Sequence, residues 1–139
     1  IGSVLTGPKD FVGKARRLRK MLGGGMRQAG ILAAAGLYAL EHNVERLAED
    51  HARAKRLAEG FARHAEIEIL SAQTNIVFIR VSPEAAEGFS AQLKAAGIAV
   101  SGRYGEQRWV THLDLTDESI EAALSVADSF FSRKSARMA

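Results

Sequence analysis

Two stretches hold the side chains of this chain best suited to chemistry, GGGMRQ at residues 23–28 and RWVTHLD at residues 108–114. A bare hinge needs glycine but no arginine. A helix that starts just past the glycines directs its free N–H groups at an anion, and Arg27 in its first turn adds a charge-assisted hydrogen bond. A phosphate or a carboxylate suits such a place. The spacing matches neither GxGxxG nor GxxxxGKS/T. In RWVTHLD, a period of two puts Arg108, Val110, His112 and Asp114 on one face, and Trp109, Thr111 and Leu113 on the other. Arg108, at a strand start, offers a planar fork for gripping a carboxylate. His112 and Asp114 could form a proton-handling pair or serve as two metal ligands, but no third ligand stands at useful spacing. His42, His51 and His64 fall on helical stretches and form no HExxH. A packed, hydrogen-bonded histidine is the preferred reading of His112, and no metal site is expected. No nucleophile elbow, serine triad or paired-carboxylate site stands out. The chain has no cysteine, which excludes thiolate catalysis, disulfides and cysteine metal sites.

Several elements have to position these groups. SVLTG at 3–7 reads as a short strand. A helix follows from Pro8 to about Met21, with Pro8 at its first position, Asp10 in its first turn and Gly23 to Gly25 as its stop. MRQAGILAAAGLYALEHN at 26–43 reads as a second helix, apolar on nearly every side and therefore buried on all sides. A chain of 139 residues has little to surround it with, so part of its environment is expected from another subunit or from further sequence. Residues 44–65 form an amphipathic helix whose apolar stripe is Val44, Leu47, His51, Ala54, Ala58, Phe61 and Ala65, with a Glu49–Arg53 pair on its flank. The period then changes. EIEIL at 66–70 and NIVFIRV at 75–81 read as strands, 83–97 as a helix closed by Gly97, and 98–102 and 107–115 as two more strands around Gly102 and Gly105. The last helix is capped by Thr116, with Ser119 where a capping box places Glu, and the tail from Ser135 is expected to fray. The order β-β-α-β-β-α makes a small, mainly antiparallel sheet with helices on one face, an α+β unit.

Charge is uneven. Residues 1–43 carry seven Lys/Arg against Asp10 and Glu41, whereas the remainder carries twelve basic and fourteen acidic side chains. Lys14, Arg16, Arg17, Arg19 and Lys20 crowd the first helix. A solvated face is one account of them and displacement of counterions from nucleic acid is another. No aromatic residue is interleaved for base stacking, and the apolar face lacks Trp, so neither nucleic acid nor a membrane surface is expected as a partner. No apolar run reaches the length of a membrane span and no signal peptide is read, which suits a cytoplasmic protein. The residues alone describe an anion-binding α+β piece with a buried, intersubunit-type helix.

These same stretches resemble the C-terminal part of the low-specificity L-threonine aldolases. The likeness covers essentially the whole chain and is densest in GSVLTG, ARRLRKMLGGGMRQAGILAAAGLYALEHNVERLAEDH, TNIVFIRV and RWVTHLDL. It implies a fold-type I pyridoxal-phosphate enzyme of the aspartate-aminotransferase kind. Residues 1–45 would then be the end of the large cofactor-binding domain and residues 46–139 the small C-terminal domain. It implies cleavage of L-threonine, L-allo-threonine and related β-hydroxy-α-amino acids to glycine and an aldehyde, with pyridoxal 5'-phosphate as the electron sink. Arg108, by its place just before VTHLD, corresponds to the arginine that holds the substrate α-carboxylate and so orients the breaking bond. Arg27 corresponds to a residue that reaches a neighbouring subunit's cofactor phosphate, with Lys20 near the same site. The helix at 26–43 becomes an interface helix of a homo-oligomer, a tetramer or dimer of dimers. The Schiff-base lysine, the ring-stacking histidine and the aspartate on the pyridinium nitrogen are expected upstream of Ile1, so no catalytic residue is assigned within this chain and the chain alone is expected to be inactive. A non-catalytic oligomerising or anion-binding chain is the alternative.

Overall fold

The computed structural model describes the backbone of residues 3–103 and 105–138, with side chains up to residue 132 except that of residue 103. It divides into two compact units, Ile1–Glu45 and Arg46–Ala139.

The first unit holds α1 (Lys9–Met21) and α2 (Gly30–His42). Residues 3–7 form no strand, because no partner strand pairs with them among the described residues. Pro8 stands just ahead of the first helical residue rather than inside the helix. The end of α1 is a Schellman motif. The Gly24 N–H donates to the Arg19 carbonyl at 2.8 Å and the Gly23 N–H to the Lys20 carbonyl at 3.3 Å, while Gly23 takes φ +83°. A side chain at Gly23 would resist that left-handed turn. The helix expected from residue 26 begins only at Gly30, because Gln28 adopts φ +52° and breaks the helical run. Neither α1 nor α2 has a buried residue. Ile31, Leu37, Tyr38 and Leu40 of α2 are exposed, so the all-round burial expected of this helix is absent from the chain by itself.

The second unit runs α3 (Leu47–Phe61), β1 (Ile67–Gln73), β2 (Ile76–Val81), α4 (Pro83–Ala95), β3 (Ser101–Arg103), β4 (Glu106–Val110) and α5 (Asp117–Met138). The four strands form one antiparallel sheet in the order β1-β2-β4-β3. The helix α4 carries the chain from β2 past one strand position to β3, and β4 returns to fill the gap. A bulge at Leu70 shifts the β1–β2 register. Alternation then sorts the faces. Ile67, Val77, Ile79, Val81 and Trp109 enter one core with Ala54, Leu57 and Phe61 of α3, Ala85, Phe89 and Leu93 of α4, and Ile120, Leu124, Ala127 and Phe131 of α5. The opposite face presents Glu68, Phe78, Arg80, Glu106 and Arg108 to solvent.

Three sequence expectations shift here. The buried stripe of α3 is Asp50, Ala54, Leu57, Ala58, Gly60 and Phe61, so Leu47 and His51 lie off it and a carboxylate lies on it. His64 falls beyond the end of α3, with its Nε2 at 3.0 Å from Asp128 Oδ1. The backbone of α5 remains helical to Met138, past the point where fraying was expected, and Ala139 lies outside the described residues. Gly97 does close α4, in a second Schellman turn at φ +76°.

Candidate functional site

Arg108 is the middle residue of the five-residue strand β4, not its start. Its lateral neighbours on the sheet are Phe78 of β2 and Ser101 of β3. Neither can accept its charge. Four other arginines of this unit are engaged. Arg46 forks onto the Asp50 carboxylate at 2.8 and 2.9 Å. Arg53 Nε reaches Asp117 at 2.7 Å, closer than the expected Glu49 partner at 3.5 Å. Arg56 meets Glu121 at 2.7 Å, and Arg80 bridges Glu68 at 2.9 Å and Glu106 at 2.7 Å. The carboxylates hydrogen-bonded to Arg46, Arg53 and Arg80 raise those guanidiniums further above their ordinary value. Among the described residues no carboxylate pairs with Arg108, so its fork is open to an outside anion.

A cavity of about 680 Å³ adjoins it, lined by Leu57, Val100, Ser101, Arg108, His112 and Ile120 among others. That volume suits a small ligand. A larger cavity of about 820 Å³ lies between α4 and the β3–β4 hairpin. Its wall sets Lys94 against Glu87 and Glu106, whereas the Arg108 cavity has, among the described residues, a cation and no carboxylate in its lining and is the better candidate for an acidic substrate.

β4 ends at Val110, and the alternation expected through Leu115 fails at Leu113. Trp109 and Thr111 are buried as the period predicts, but Leu113 is exposed. His112 is exposed rather than packed. Its Nδ1 accepts the Asp114 N–H at 3.3 Å, with the Asp114 carboxylate at 3.5 Å. Among the described residues no group of three His, Asp or Glu side chains could hold a metal.

The first unit carries the other two expected site residues. Arg27 lies three residues before α2 starts, not in its first turn, and is exposed. The Lys20 side chain folds back over Gly25. A Cβ built on Gly25 would fall 2.9 Å from Lys20 Nζ and 3.2 Å from its Cε, and closer still to Cδ. The missing methyl therefore admits the ammonium beside the chain two residues ahead of Arg27. Neither cation has a carboxylate partner among the described residues. Cations without a carboxylate partner are chemically suited to a phosphate.

Sequence reasoning missed Asp50, Asn75 and Thr111. The buried Asp50 carboxylate is held by Arg46, and its backbone carbonyl accepts the Thr111 hydroxyl at 2.7 Å. Asn75 Nδ2 donates to the Thr111 carbonyl at 2.7 Å, and the Thr111 N–H returns to the Asn75 carbonyl at 2.9 Å. The signal for Asp50 was present: a carboxylate on the apolar stripe of α3, one turn after an arginine. The contacts of Asn75 and Thr111 join residues far apart in sequence and have no local signature.

Comparison with known proteins places the chain. The profile of the beta-eliminating lyases matches residues 1–84, and the chain belongs to that family. Over 133 residues it is 42% identical to the low specificity L-threonine aldolase of Escherichia coli K12, covering 96% of this chain and 39% of the relative. It is 39% identical over 137 residues to a probable low-specificity L-threonine aldolase 2 of Arabidopsis thaliana, covering 94% and 39%. A probable low-specificity L-threonine aldolase of Schizosaccharomyces pombe is 37% identical over 127 residues, covering 91% and 32%. The chain thus spans 39% of the length of the first two relatives. No helix of the described residues is long and apolar enough to cross a membrane.

Proposed function

We propose that this chain is the C-terminal part of a pyridoxal-phosphate-dependent threonine aldolase of fold type I, with residues 1–45 ending its large domain and residues 46–139 forming its small one. The full-length protein cleaves L-threonine, L-allo-threonine and related β-hydroxy-α-amino acids to glycine and an aldehyde. The unpaired Arg108 fork on the open face of the sheet is the observation that carries this reading. Arg108 takes the substrate α-carboxylate in a bidentate grip, which fixes the direction of the Cα–Cβ bond and so selects the bond that breaks. Lys20 and Arg27 hold the cofactor phosphate, in a site completed by a second subunit. Bound pyridoxal phosphate supplies the electron sink for the cleavage. The exposed Ile31, Leu37, Tyr38 and Leu40 of α2 support a homo-oligomer built across this helix.

Threonine cleavage by the full-length protein tests the assignment. Arg108→Lys keeps the charge but loses the fork. It is expected to lower kcat/KM for threonine by about 10- to 100-fold, the worth of a charge-assisted hydrogen bond. An unchanged kcat/KM would remove Arg108 from the substrate site.

A further inference from the structure

We propose that Asn75 and Thr111 are positioning residues that set the aim of the Arg108 fork. The proposal rests on the reading of Arg108 as the carboxylate-binding residue and adds two residues to its machinery. An arginine in mid-strand can direct its guanidinium no better than its strand is held, and β4 is five residues long. Just past its far end stands Thr111, which is 1% exposed and spends every polar group on other elements. Its N–H goes to the Asn75 carbonyl at 2.9 Å, its hydroxyl to the Asp50 carbonyl at 2.7 Å, and its own carbonyl takes the Asn75 amide at 2.7 Å. Three elements therefore meet at one residue: the β1–β2 turn, α3 and the end of β4.

The turn that supplies Asn75 is held against its local preference. Gln73 pairs with Ile76, so Thr74 and Asn75 form a two-residue connection. Thr74 sits at φ +52°. A β-branched residue in the left-handed region is strained, where glycine would be at ease. Such strain persists only where the surroundings over-determine it, and it gathers at functional sites. Here the surrounding constraint is the pair of hydrogen bonds between Asn75 and Thr111. From Asn75 the register runs Ile76–Val110, Val77–Trp109, Phe78–Arg108, so the clamp lies at the head of the ladder that seats Arg108 against Phe78. It also turns the chain out of the sheet at His112, which lines the same cavity as Arg108.

The test uses the full-length protein loaded with its cofactor, and calorimetric dissociation constants for glycine and glycinamide, ligands that differ in the carboxylate. The readout is the preference for glycine relative to wild type, with the thermal midpoint recorded beside it. Arg108→Ala is expected to lower that preference by about 10- to 100-fold. Thr111→Val and Asn75→Asp leave Arg108 in place and are expected to lower it by about 3- to 10-fold, since small misplacements of a binding group are costly. Neither is expected to lower it further in the Arg108→Ala background. If both variants keep the wild-type preference while their thermal midpoints fall, the clamp is only structural and the proposal is overturned, with Arg108 untouched. If Arg108→Ala keeps the preference, the carboxylate reading fails and takes this proposal with it. Should Thr111→Val not fold, Asn75→Asp decides, because it removes one donor at a half-buried turn.

Discussion

Replacing Gly60 by alanine sets helix propensity against packing, and the structure says which wins. Gly60 is buried in α3, one residue before the core residue Phe61. In an exposed helix, Gly→Ala stabilises by about 1 kcal/mol. At Gly60 the new Cβ would lie 2.8 Å from Leu124 Cδ1 and 3.1 Å from its Cγ, with Cδ2 closer still. The γ carbon cannot swing away as a methyl tip can, so Leu124 has to leave its rotamer. It has nowhere to go, because it is 6% exposed within the core of α3, α5 and the sheet. Overpacking of this kind costs about 1–3 kcal/mol, so the propensity gain is cancelled or exceeded, and a net destabilisation of about 0–2 kcal/mol is expected. Urea unfolding of the 139-residue chain measures it. Gly13→Ala is the internal control, since nothing lies within 4 Å of a Cβ there, and it should stabilise. In the Gly60→Ala background, Leu124→Ala should cost less than it does alone, because the two changes share one space. If Gly60→Ala stabilises as much as Gly13→Ala, the close approach of α3 and α5 is wrong.

Other expectations follow from the same contacts. Gly25→Ala should displace only the flexible end of Lys20, leaving thermal stability unchanged while weakening pyridoxal phosphate affinity of the full-length protein by about tenfold in a fluorescence titration; unchanged affinity would remove Lys20 from the phosphate site. Gly36→Ala meets nothing within 4 Å in this chain and should stabilise an isolated α2, but in an assembly packed across that helix it should lower the oligomer mass seen by light scattering at low concentration. The Thr116 hydroxyl, with the backbone N–H of Glu118 itself, holds the Glu118 carboxyl below the usual range. Its folded value is lowered, so its contribution to stability is present above the unfolded value of about 4.3 and is lost as pH falls through the folded value. Glu118→Gln should therefore be less stable than wild type near neutral pH and match it in acid; a gap that stays constant with pH would refute the assignment.

What the sequence made legible divides by the range of the interaction. The order β-β-α-β-β-α from residue 66 could be read because each element carries its own period and punctuation. Gly97 closes α4 at φ +76°, and Ser119 Oγ accepts the Thr116 N–H at 3.4 Å, within one turn of the cap. The extent of β4 was not legible. Thr111 continues the alternation, being buried when its turn comes, yet it lies one residue past the end of the strand. Periodicity reports which side chains are inward and says nothing of where the backbone N–H and C=O groups go. At Thr111 they go to Asn75, 36 residues away, and the hydroxyl goes to Asp50, 61 residues away. The Asn75 bond is the last rung the sheet can offer, because β2 begins at Ile76 and the chain turns at Thr74 and Asn75, so a strand expected to reach Leu115 stops at Val110. The same limit governs α2. Its composition states what kind of surface it needs, and the chain by itself leaves Ile31, Leu37 and Leu40 exposed. Arg108 is the opposite case. Its residue type and expected place at a strand start suggested an anion grip, and what the structure adds is that Arg46, Arg53, Arg56 and Arg80 are already engaged by carboxylates. The want of a partner at Arg108 among the described residues depends on every carboxylate being somewhere else, and no local stretch of sequence can state that.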